Sequence, residues 1–461
     1  MDTTALRARL AGLLAEYRIP GASVGLLRDG EVTDFALGVA DVTTGEPVTT
    51  GTAFQIGSLT KTWTAVTFLR FVEEGKAALD EPVRAFLPGF KVADLEVSAK
   101  VTPRHLLNHT HGIEEDFGDP GEDDDVYERM VAGIAGAPQV HPLGHTHGYS
   151  AALGYAILAR VMEVIDGRPW DDILTDRLVR PLGLSRTSSR QELADPARMA
   201  TGHLVRSPDE GPIVSPLSHL PRLFGPSGTM TSTPREVLAL ARLLLDEGVA
   251  ADGTRILSPG LVREMTGSRV PLPEPYSLGR EWALGLLADT WSGVEVYGHD
   301  GSTIGHNARL RILPELGLAV AMTVNGGPRD GFYRRAMSEI LTSVGAPAVP
   351  DLPAPDPTLR LDPGRYTGRY ERPGLRYDVG SRDGTLTLSF HLNPMEAEFL
   401  GRPDRIDYDL LPVSETHFVT RSPDPLEDPQ VVALYDFQDG KARYLHTNSR
   451  VTPRAAPAAG W

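Results

Sequence analysis

The sequence predicts an α+β fold in residues 1–345 and an all-β fold in residues 364–461, joined by a Pro-rich linker over 346–363. Three observations lead to this prediction. Strand patterns flank the first region, helical periodicity dominates its middle, and the last region alternates apolar and polar residues with a period of two. We therefore expect an antiparallel sheet flanked by helices with a large all-helical subdomain, followed by a small barrel.

The first region begins with a helix and a hairpin. Apolar residues recur at helical spacing over 3–17, and two strand patterns over 22–27 and 32–39 are separated by an Asp-Gly turn. A dense apolar helix pattern follows over 62–74. The hairpin predicts that the N-terminal segment contributes two strands to the sheet.

The first region ends with two further strands and a helix. Helix patterns occupy 149–166 and 237–245, strand patterns occupy 308–313 and 318–324, and a helix is predicted over 333–344. Because strands lie at both ends of the region with helices between them, we expect them to meet in one antiparallel sheet.

The C-terminal region is predicted to be a small, lipocalin-like barrel. The linker before it holds six prolines and three aspartates, a composition typical of an extended connection. Six strand patterns follow, over 366–370, 377–379, 386–390, 418–420, 431–435 and 442–446. Two roles are open for this barrel: packing and stability, or a lid in which Arg443 or Arg450 reaches the functional site.

Composition and charge exclude several kinds of protein. The formal net charge of -16 argues against nucleic acid or an anionic membrane as a partner, and the absence of cysteine excludes disulfides, thiol nucleophiles and thiolate metal sites. The N-terminal segment has no basic stretch followed by an apolar one, and no stretch approaches the length of a membrane span. We therefore expect a cytoplasmic protein.

Ser58 and Lys61 are the candidate nucleophile and base. They lie three residues apart at the predicted start of a helix, where residues i and i+3 share a face. The Lys61 amine can therefore reach the Ser58 hydroxyl, as a serine nucleophile without a histidine base requires. The spacing alone is weak evidence, since Ser-x-x-Lys occurs by chance in long sequences.

Two further stretches complete a set of three motifs: Ser58-Leu59-Thr60-Lys61, Tyr149-Ser150-Ala151 and His299-Asp300-Gly301. In this order and spacing they resemble the motifs of the penicillin-recognising serine hydrolases. This superfamily includes class C β-lactamases, D,D-peptidases, D-aminopeptidases and related esterases and transacylases. Flanking stretches such as 104–112 and 181–183 are also similar. The resemblance covers about residues 5–345 and implies a β-lactamase/transpeptidase-like fold.

The resemblance implies a role for each motif residue. Ser58 attacks a carbonyl carbon to form an acyl-enzyme, and Lys61, kept at least partly neutral, takes its proton. Tyr149 relays the proton to the leaving group and later activates the acceptor. His299 hydrogen-bonds this relay or a substrate carboxylate, and the backbone amides of Ser58 and Ser302 form the oxyanion hole.

Four residues are expected to line the substrate site: Ala151, Asp300, Gly301 and His147. Gly301 lets the strand backbone pass close to the substrate. Ala151 stands where the family usually has an asparagine, whose amide binds the acyl-amide of β-lactams and peptides. Alanine offers no such hydrogen bond, which argues against a β-lactam or a D-Ala-D-Ala peptide as the substrate.

Two His-x-His pairs could bind a metal such as zinc: His109 with His111, and His145 with His147. No carboxylate spacing completes a metal site, and His109 falls within a stretch similar to the family. We therefore predict no metal and no cofactor, and expect His145 and His147 to line the pocket from the loop before Tyr149.

The stretch 114–125 is a loop with two interpretations. Eight of its twelve residues are acidic. It is either a solvated surface loop or a rim that attracts cationic amine substrates.

The sequence thus predicts a serine hydrolase or acyltransferase in which a small-molecule or peptide ester or amide acylates Ser58. The hydrolase version is an esterase or amidase. The alternative is an amide-forming transacylase or peptide cyclase of natural-product biosynthesis, in which an amine acceptor receives the acyl group. A true β-lactamase and a catalytically silent binding protein are less favoured, the latter because Ser58, Lys61 and Tyr149 are all intact. The oligomeric state does not follow from the sequence.

Overall fold

The structure, a computed structural model, describes residues 3–115, 118–191, 195–205, 210–327, 330–393, 403–422 and 428–455. Its helices are α1 (Thr3–Glu16), α2 (Thr60–Glu73), α3 (Val83–Phe86), α4 (Leu95–Lys100), α5 (Pro103–Leu107), α6 (Val126–Gly133), α7 (Leu153–Asp166), α8 (Trp170–Leu174), α9 (Gly225–Gly228), α10 (Pro234–Leu245), α11 (Pro259–Gly267) and α12 (Asp330–Ser343). Within these described ranges, every helix is too short or too polar to cross a bilayer.

The strands form two large sheets and two small ones. They are β1 (Gly21–Arg28), β2 (Glu31–Gly38), β3 (Phe54–Gln55), β4 (His203–Leu204), β5 (Ile213–Val214), β6 (Thr231–Ser232), β7 (Val270–Pro271), β8 (Glu281–Trp282), β9 (Leu287–Trp291), β10 (Val294–Ser302), β11 (Asn307–Leu313), β12 (Leu318–Val324), β13 (Gly368–Arg372), β14 (Leu375–Arg382), β15 (Thr385–His391), β16 (Arg405–Pro412), β17 (His417–Arg421), β18 (Val431–Gln438), β19 (Lys441–Thr447) and β20 (Arg450–Pro453).

The first large sheet joins strands from both ends of the N-terminal region. Its order is β2-β1-β12-β11-β10-β9-β8-β7, and every pairing is antiparallel. Val24 of β1 lies opposite Met322 of β12, so a strand near residue 20 pairs with one near residue 320. This confirms the predicted α+β fold with one antiparallel sheet.

Side chains of β12 alternate between two cores. Val320, Met322 and Val324 pack with α1 and α12 on one face of the sheet. Ala319 and Ala321 face the larger core, to which α2, α7 and α10 contribute. The sheet is therefore covered by helices on both faces, with the helical subdomain on the side of α2.

Helix α2 is buried on nearly all sides. Its hydroxyl groups are satisfied within the core, because Thr62 Oγ1 donates to the carbonyl oxygen of Gly285 at 2.8 Å and Thr64 Oγ1 donates to that of Pro226 at 2.7 Å. A helix enclosed in this way has little freedom to shift, so the residues at its N-terminus are held rigidly.

The C-terminal region is an eight-stranded antiparallel sheet, which confirms the predicted all-β barrel. Strands β13 to β20 pair in sequence order, and a bridge between Tyr370 and Arg454 brings the first and last strands together. Arg454 reinforces this closure by donating to the carbonyl oxygen of Thr367 at 2.7 Å and to the Tyr370 hydroxyl at 2.6 Å. Apolar side chains fill the interior.

The barrel packs directly against the N-terminal region. Arg372 of the barrel forms an ion pair of 2.8 Å with Glu114, and both side chains are largely buried. The His417 ring lies 2.9 Å from the carbonyl oxygen of Pro273. These contacts place one end of the barrel beside Tyr149, whose backbone amide donates to the carbonyl oxygen of Ser449 at 2.9 Å.

Candidate active site

Ser58 lies in a tight turn that leads into α2. Gly57, Ser58 and Leu59 form a 3-10 turn in which Gly57 has a φ of +53°. Thr60 fixes this turn from both sides, because its Oγ1 donates to the carbonyl oxygen of Gly57 at 2.7 Å and accepts from the amide of Met230 at 3.3 Å. Gly57 and Leu59 are buried, whereas Ser58 is partly exposed and can meet a substrate.

The Lys61 amine is held beside the Ser58 hydroxyl. Its Nζ lies 3.2 Å from Ser58 Oγ and donates to the carbonyl oxygens of Ala151 at 2.8 Å and Ser227 at 3.2 Å. Burial lowers the pKa of Lys61 to about 7, with Glu115 opposing this shift and Arg450 adding to it. A substantial fraction of Lys61 is therefore neutral near pH 7 and can take the Ser58 proton.

Tyr149 approaches both residues from the segment before α7. Lys61 Nζ lies 4.7 Å from the centre of the Tyr149 ring, and the phenol hydrogen-bonds Ser58. Burial raises the pKa of Tyr149, although the hydrogen bond with Ser58 opposes the shift. The phenol is therefore neutral at physiological pH, so it can pass a proton between Lys61 and a leaving group rather than act as a standing phenolate.

His299 faces the same cleft from β10 as a neutral ring. Its Nδ1 lies 2.6 Å from the carbonyl oxygen of Asp300, which fixes the tautomer with the proton on Nδ1. Burial and the charge of Lys61 lower the pKa of His299 to about 3. Its buried Nε2 has no hydrogen-bond partner among the described residues. Nε2 is therefore an acceptor. It can accept a hydrogen bond from a group of the proton relay, but it has no proton to donate to a substrate carboxylate.

Two glycines let β10 lie against the Ser58 turn. A Cβ on Gly301 would stand 1.8 Å from the carbonyl oxygen of Ile56, and a Cβ on Gly57 would stand 2.5 Å from the backbone nitrogen of Ser302. The Ser302 amide thus lies next to the turn that carries the Ser58 amide. This is the arrangement that an oxyanion hole of two backbone N–H groups requires.

Most of the predicted residues line one cleft with a volume of about 1140 Å³. Ser58, Tyr149, Ala151 and His299, together with Asp300, Gly301 and Ser302, line it. Its lining also includes the loop over 275–280, Arg309 and Arg311, and the barrel residues 428–431 and 448–450. The barrel therefore forms part of the cleft, and Arg450, but not Arg443, lines it.

The Asp300 carboxylate is engaged by arginines rather than free for a substrate. Arg311 donates to both of its oxygens, at 2.5 and 3.2 Å, and Arg309 Nε lies 3.2 Å away. Although burial would raise the pKa of Asp300, these two guanidinium groups lower it. Asp300 therefore organises the cleft wall around two arginines.

The structure places His147 away from the cleft, which differs from the sequence-based expectation. Its ring is fully buried behind Tyr149 and packs against His109, Trp282 and His446. His145 also turns away, and its Nε2 lies 3.0 Å from Asp436 of the barrel. Both histidines face the barrel because it covers the outer side of this loop.

In the first His-x-His pair, the two rings are engaged by different backbone amides. His109 Nδ1 accepts from the backbone amide of Ser150 at 3.1 Å, and His111 Nδ1 accepts from that of Ile113 at 3.1 Å. Over the described ranges, no three His, Cys, Asp or Glu side chains lie together as metal ligands.

Glu115 is a site residue that the sequence did not single out. Within the acidic stretch it turns inward, and its carboxylate accepts from the Ser150 hydroxyl at 2.7 Å and from the Ala151 amide at 3.0 Å. Among the other described residues of the stretch, four pair with arginines: Glu114, Asp123, Asp124 and Asp125. No described residue of 114–125 lines the cleft. Only the three-dimensional fold reveals the role of Glu115, because a run of acidic residues carries no signal for a single buried carboxylate.

Comparisons with known proteins agree with this geometry. The family model "Beta-lactamase" matches residues 6–341. Penicillin-binding protein 4 of Amycolatopsis lactamdurans is 38% identical over 372 residues, which cover 79% of this chain and 97% of that protein.

Two proteins with solved structures are similar over most of those proteins' length. The crystal structure of SurE has a TM-score of 0.77 and 28% identity, covering 98% of this chain and 100% of that one, and the structure of SurE with D-Leu has a TM-score of 0.75. D-amino acid amidase from Ochrobactrum anthropi SV3 has a TM-score of 0.63 and 26% identity, covering 74% of this chain and 98% of that one. Ser58 lines the cleft and lies 3.2 Å from the buried Lys61 amine, and the family match confirms the predicted relationship: this chain belongs to the beta-lactamase family and is a serine hydrolase.

Proposed function

We propose that the protein cleaves peptide-like amides or esters through an acyl-enzyme at Ser58, and that the acyl residue it accepts has the D configuration. The observation that carries the proposal is the 3.2 Å contact between the buried amine of Lys61 and Ser58 Oγ, a residue that lines the cleft. The D configuration is supported by the similarity to SurE, solved with D-Leu, and to a D-amino acid amidase.

The first half of the reaction forms the acyl-enzyme. Ser58 Oγ attacks the carbonyl carbon while its proton passes to neutral Lys61, and the amides of Ser58 and Ser302 stabilise the oxyanion. Tyr149 then delivers a proton to the leaving nitrogen or oxygen, the bond to the leaving group breaks, and Lys61 replaces the proton that Tyr149 gave. The products of this half are the Ser58 ester and the free amine or alcohol.

The second half reverses these roles. An acceptor enters the space that the leaving group vacated, and Tyr149, with Lys61 behind it, takes its proton as it attacks the Ser58 ester. The ester bond breaks and Ser58 recovers its proton. With water as the acceptor the product is an acid, and with an amine it is a new amide.

The size of the cleft supports a substrate larger than a single amino-acid amide. Its volume of about 1140 Å³ exceeds the roughly 300–1,000 Å³ of most small-molecule pockets. Ala151, which lines it, lacks the side-chain amide that β-lactam and D-Ala-D-Ala recognition uses in the family. We therefore place a peptide-like chain, rather than a β-lactam, in this cleft.

Acyl transfer to an amine is the second candidate. It is favoured by the room beside the acyl site, because the cleft continues from Ser58 to Arg334 and Asp428. An acceptor held there would compete with water for the acyl-enzyme. Esterase or amidase activity and transfer share the same catalytic residues, so only the products distinguish them.

The test compares matched D- and L-aminoacyl esters and amides, each with and without an added amine. We expect a mass increase on Ser58 and faster turnover of the D series, with the Ser58→Ala variant as the inactive control. Faster turnover of the L series would contradict the D configuration, and hydrolysis alone with every amine would exclude transfer. A folded protein that neither turns over an ester nor reacts with a fluorophosphonate would be a binding protein instead.

A further inference from the structure

We propose that Glu115 and the barrel residue Arg450 form an ion pair that positions Tyr149 and sets the electric field at Lys61, which makes the barrel part of the catalytic unit. The two residues are 335 positions apart in the sequence, and Arg450 Nη1 lies 3.5 Å from Glu115 Oε2. The inference rests on the proposed function, since it concerns the base that activates Ser58.

One carboxylate fixes the whole segment between Tyr149 and α7. Glu115 accepts hydrogen bonds from four groups of this segment: Ser150 Oγ at 2.7 Å, Ala151 N at 3.0 Å, Ala152 N at 2.8 Å and Leu153 N at 3.0 Å. A negative charge is favourable at this position because the N-terminus of a helix carries partial positive charge. The carbonyl oxygen of Ala151, held in this way, is the one that accepts from Lys61.

The barrel meets the same segment through a tight turn between β19 and β20. Asn448 and Ser449 form this turn with φ values of +49° and +63°, a left-handed conformation that is uncommon for residues other than glycine. It directs the carbonyl oxygen of Ser449 to the backbone amide of Tyr149 at 2.9 Å. Arg450 follows immediately, so the barrel supplies a backbone acceptor and a positive charge at the same place.

Among the described residues, Glu115 and Arg450 are the two charged groups that shift the pKa of Lys61. Other titratable groups around it are neutral: burial raises the pKa values of Tyr149 and Tyr155 and lowers those of His109 and His299. Asp300, on β10, pairs with Arg309 and Arg311, and Arg309 also pairs with Asp330. Glu115 raises the pKa of Lys61 and Arg450 lowers it.

Glu115 stays ionised despite its buried position. Burial by itself would raise its pKa, but Arg450 and the hydrogen bonds from Ala152, Leu153 and Ser150 lower it. The charge is therefore present throughout the pH range in which the enzyme would work. Loss of either partner leaves the other charge acting alone on Lys61, so the two substitutions must move its pKa in opposite directions.

A neighbouring ion pair offers a matched control. Glu114 and Arg372 also join the barrel to the N-terminal region, at 2.8 Å, but neither appears among the groups that shift the pKa of Lys61. Arg372→Met therefore removes a charge from the contact surface between the barrel and the N-terminal region without removing one that acts on Lys61.

The experiment measures kcat/KM for nitrophenyl acetate, a neutral ester, between pH 5 and 9 in the full chain. We expect the acid limb of Glu115→Gln to move to lower pH and that of Arg450→Met to higher pH, each by about half a unit or more. The double variant should return close to the original limb, and Arg372→Met should not move it. Gln keeps an oxygen and a polar nitrogen in the place of the carboxylate, and circular dichroism checks that each variant folds.

Shifts in the same direction, or an unmoved limb in Arg450→Met, would overturn the inference while the activity at Ser58 remains established. If the unsubstituted protein neither hydrolyses the ester nor labels at Ser58 at any pH, the proposed function fails first. Arg450→Met alone decides the matter if Glu115→Gln does not fold, since Arg450 lies at the cleft surface.

Discussion

Lys61 Nζ lies 3.2 Å from Ser58 Oγ at one end of a helix that is buried on nearly all sides. The amine is completely enclosed, whereas the hydroxyl faces the cleft. A charged ammonium is costly in such a place, so burial favours the neutral amine, which can take the Ser58 proton.

The first prediction concerns pH. Because burial lowers the pKa of Lys61 to about 7, the free base is present above that pH and is lost below it. We expect kcat/KM for a neutral ester to fall about tenfold per pH unit below 7 and to level off above it. A profile that is flat from pH 5 to 9, or that rises only near pH 10, would show that Lys61 is not the titrating base.

The second prediction concerns Tyr149. Tyr149→Phe removes the proton relay but keeps the ring that packs 4.4 Å from His109 and 5.5 Å from Trp282, centre to centre. We expect amide hydrolysis to fall by about 10²–10⁴-fold, and nitrophenyl esters to lose much less because nitrophenolate leaves without a proton.

Tyr155→Phe is the matched control for this variant. Tyr155 OH donates to the carbonyl oxygen of Leu107 at 3.2 Å, so its loss costs about 1 kcal/mol of stability without touching Ser58. An equal loss on amides and esters in Tyr149→Phe would argue for a positional role instead of proton transfer.

The third prediction tests the residue that departs from the family pattern. Ala151 lines the cleft, while its own backbone groups are used by Lys61 and Glu115. Ala151→Asn adds a side-chain amide where β-lactam recognition needs one. If this amide forms a hydrogen bond of about 1.4 kcal/mol in the transition state, we expect the rate of acylation by a penicillin to rise roughly tenfold. Labelling with a fluorescent penicillin measures that rate.

Ala151→Val separates the amide from added volume. It fills the same part of the cleft without a polar group, so we expect no gain in labelling. A gain of the same size in both variants would mean that cleft shape, and not the amide, limits β-lactam recognition.

Local patterns account for the parts of the fold that the sequence predicted. The β1–β2 hairpin follows from Asp29 and Gly30, which both adopt the positive φ that a two-residue turn needs. Strands β7 and β8 were missed because two residues carry no periodic pattern, and β20 because it is short and ends at Pro453.

The contacts of the site also fall into two groups: those that local sequence predicts and those that only the folded chain creates. Ser58 and Lys61 lie three residues apart where the 3-10 turn runs into α2, so their contact is local and could be predicted from the sequence. The contact between Glu115 and Arg450 spans 335 positions and exists only because the barrel closes and docks beside α7. His147 was placed wrongly for the same reason, since the barrel residue His446 covers the side on which it lies.

The last prediction tests the close approach of β10 to the Ser58 turn. In Gly301→Ala the new Cβ would lie 1.8 Å from the carbonyl oxygen of Ile56 and 3.1 Å from the amide nitrogen of Leu59. Both are main-chain atoms of a buried turn, so the strand must move away and carry the Ser302 amide with it. We expect a loss of roughly 1–3 kcal/mol in the free energy of unfolding, together with a drop in ester hydrolysis from a misplaced oxyanion donor.

Gly12→Ala in α1 is the control: a Cβ there meets nothing within 4 Å, so the same substitution should stabilise the protein by about 0.5–1 kcal/mol and leave activity unchanged. Urea unfolding and ester kinetics on both variants measure the two effects, and full activity in Gly301→Ala would show that the strand and the turn are not coupled as the structure indicates.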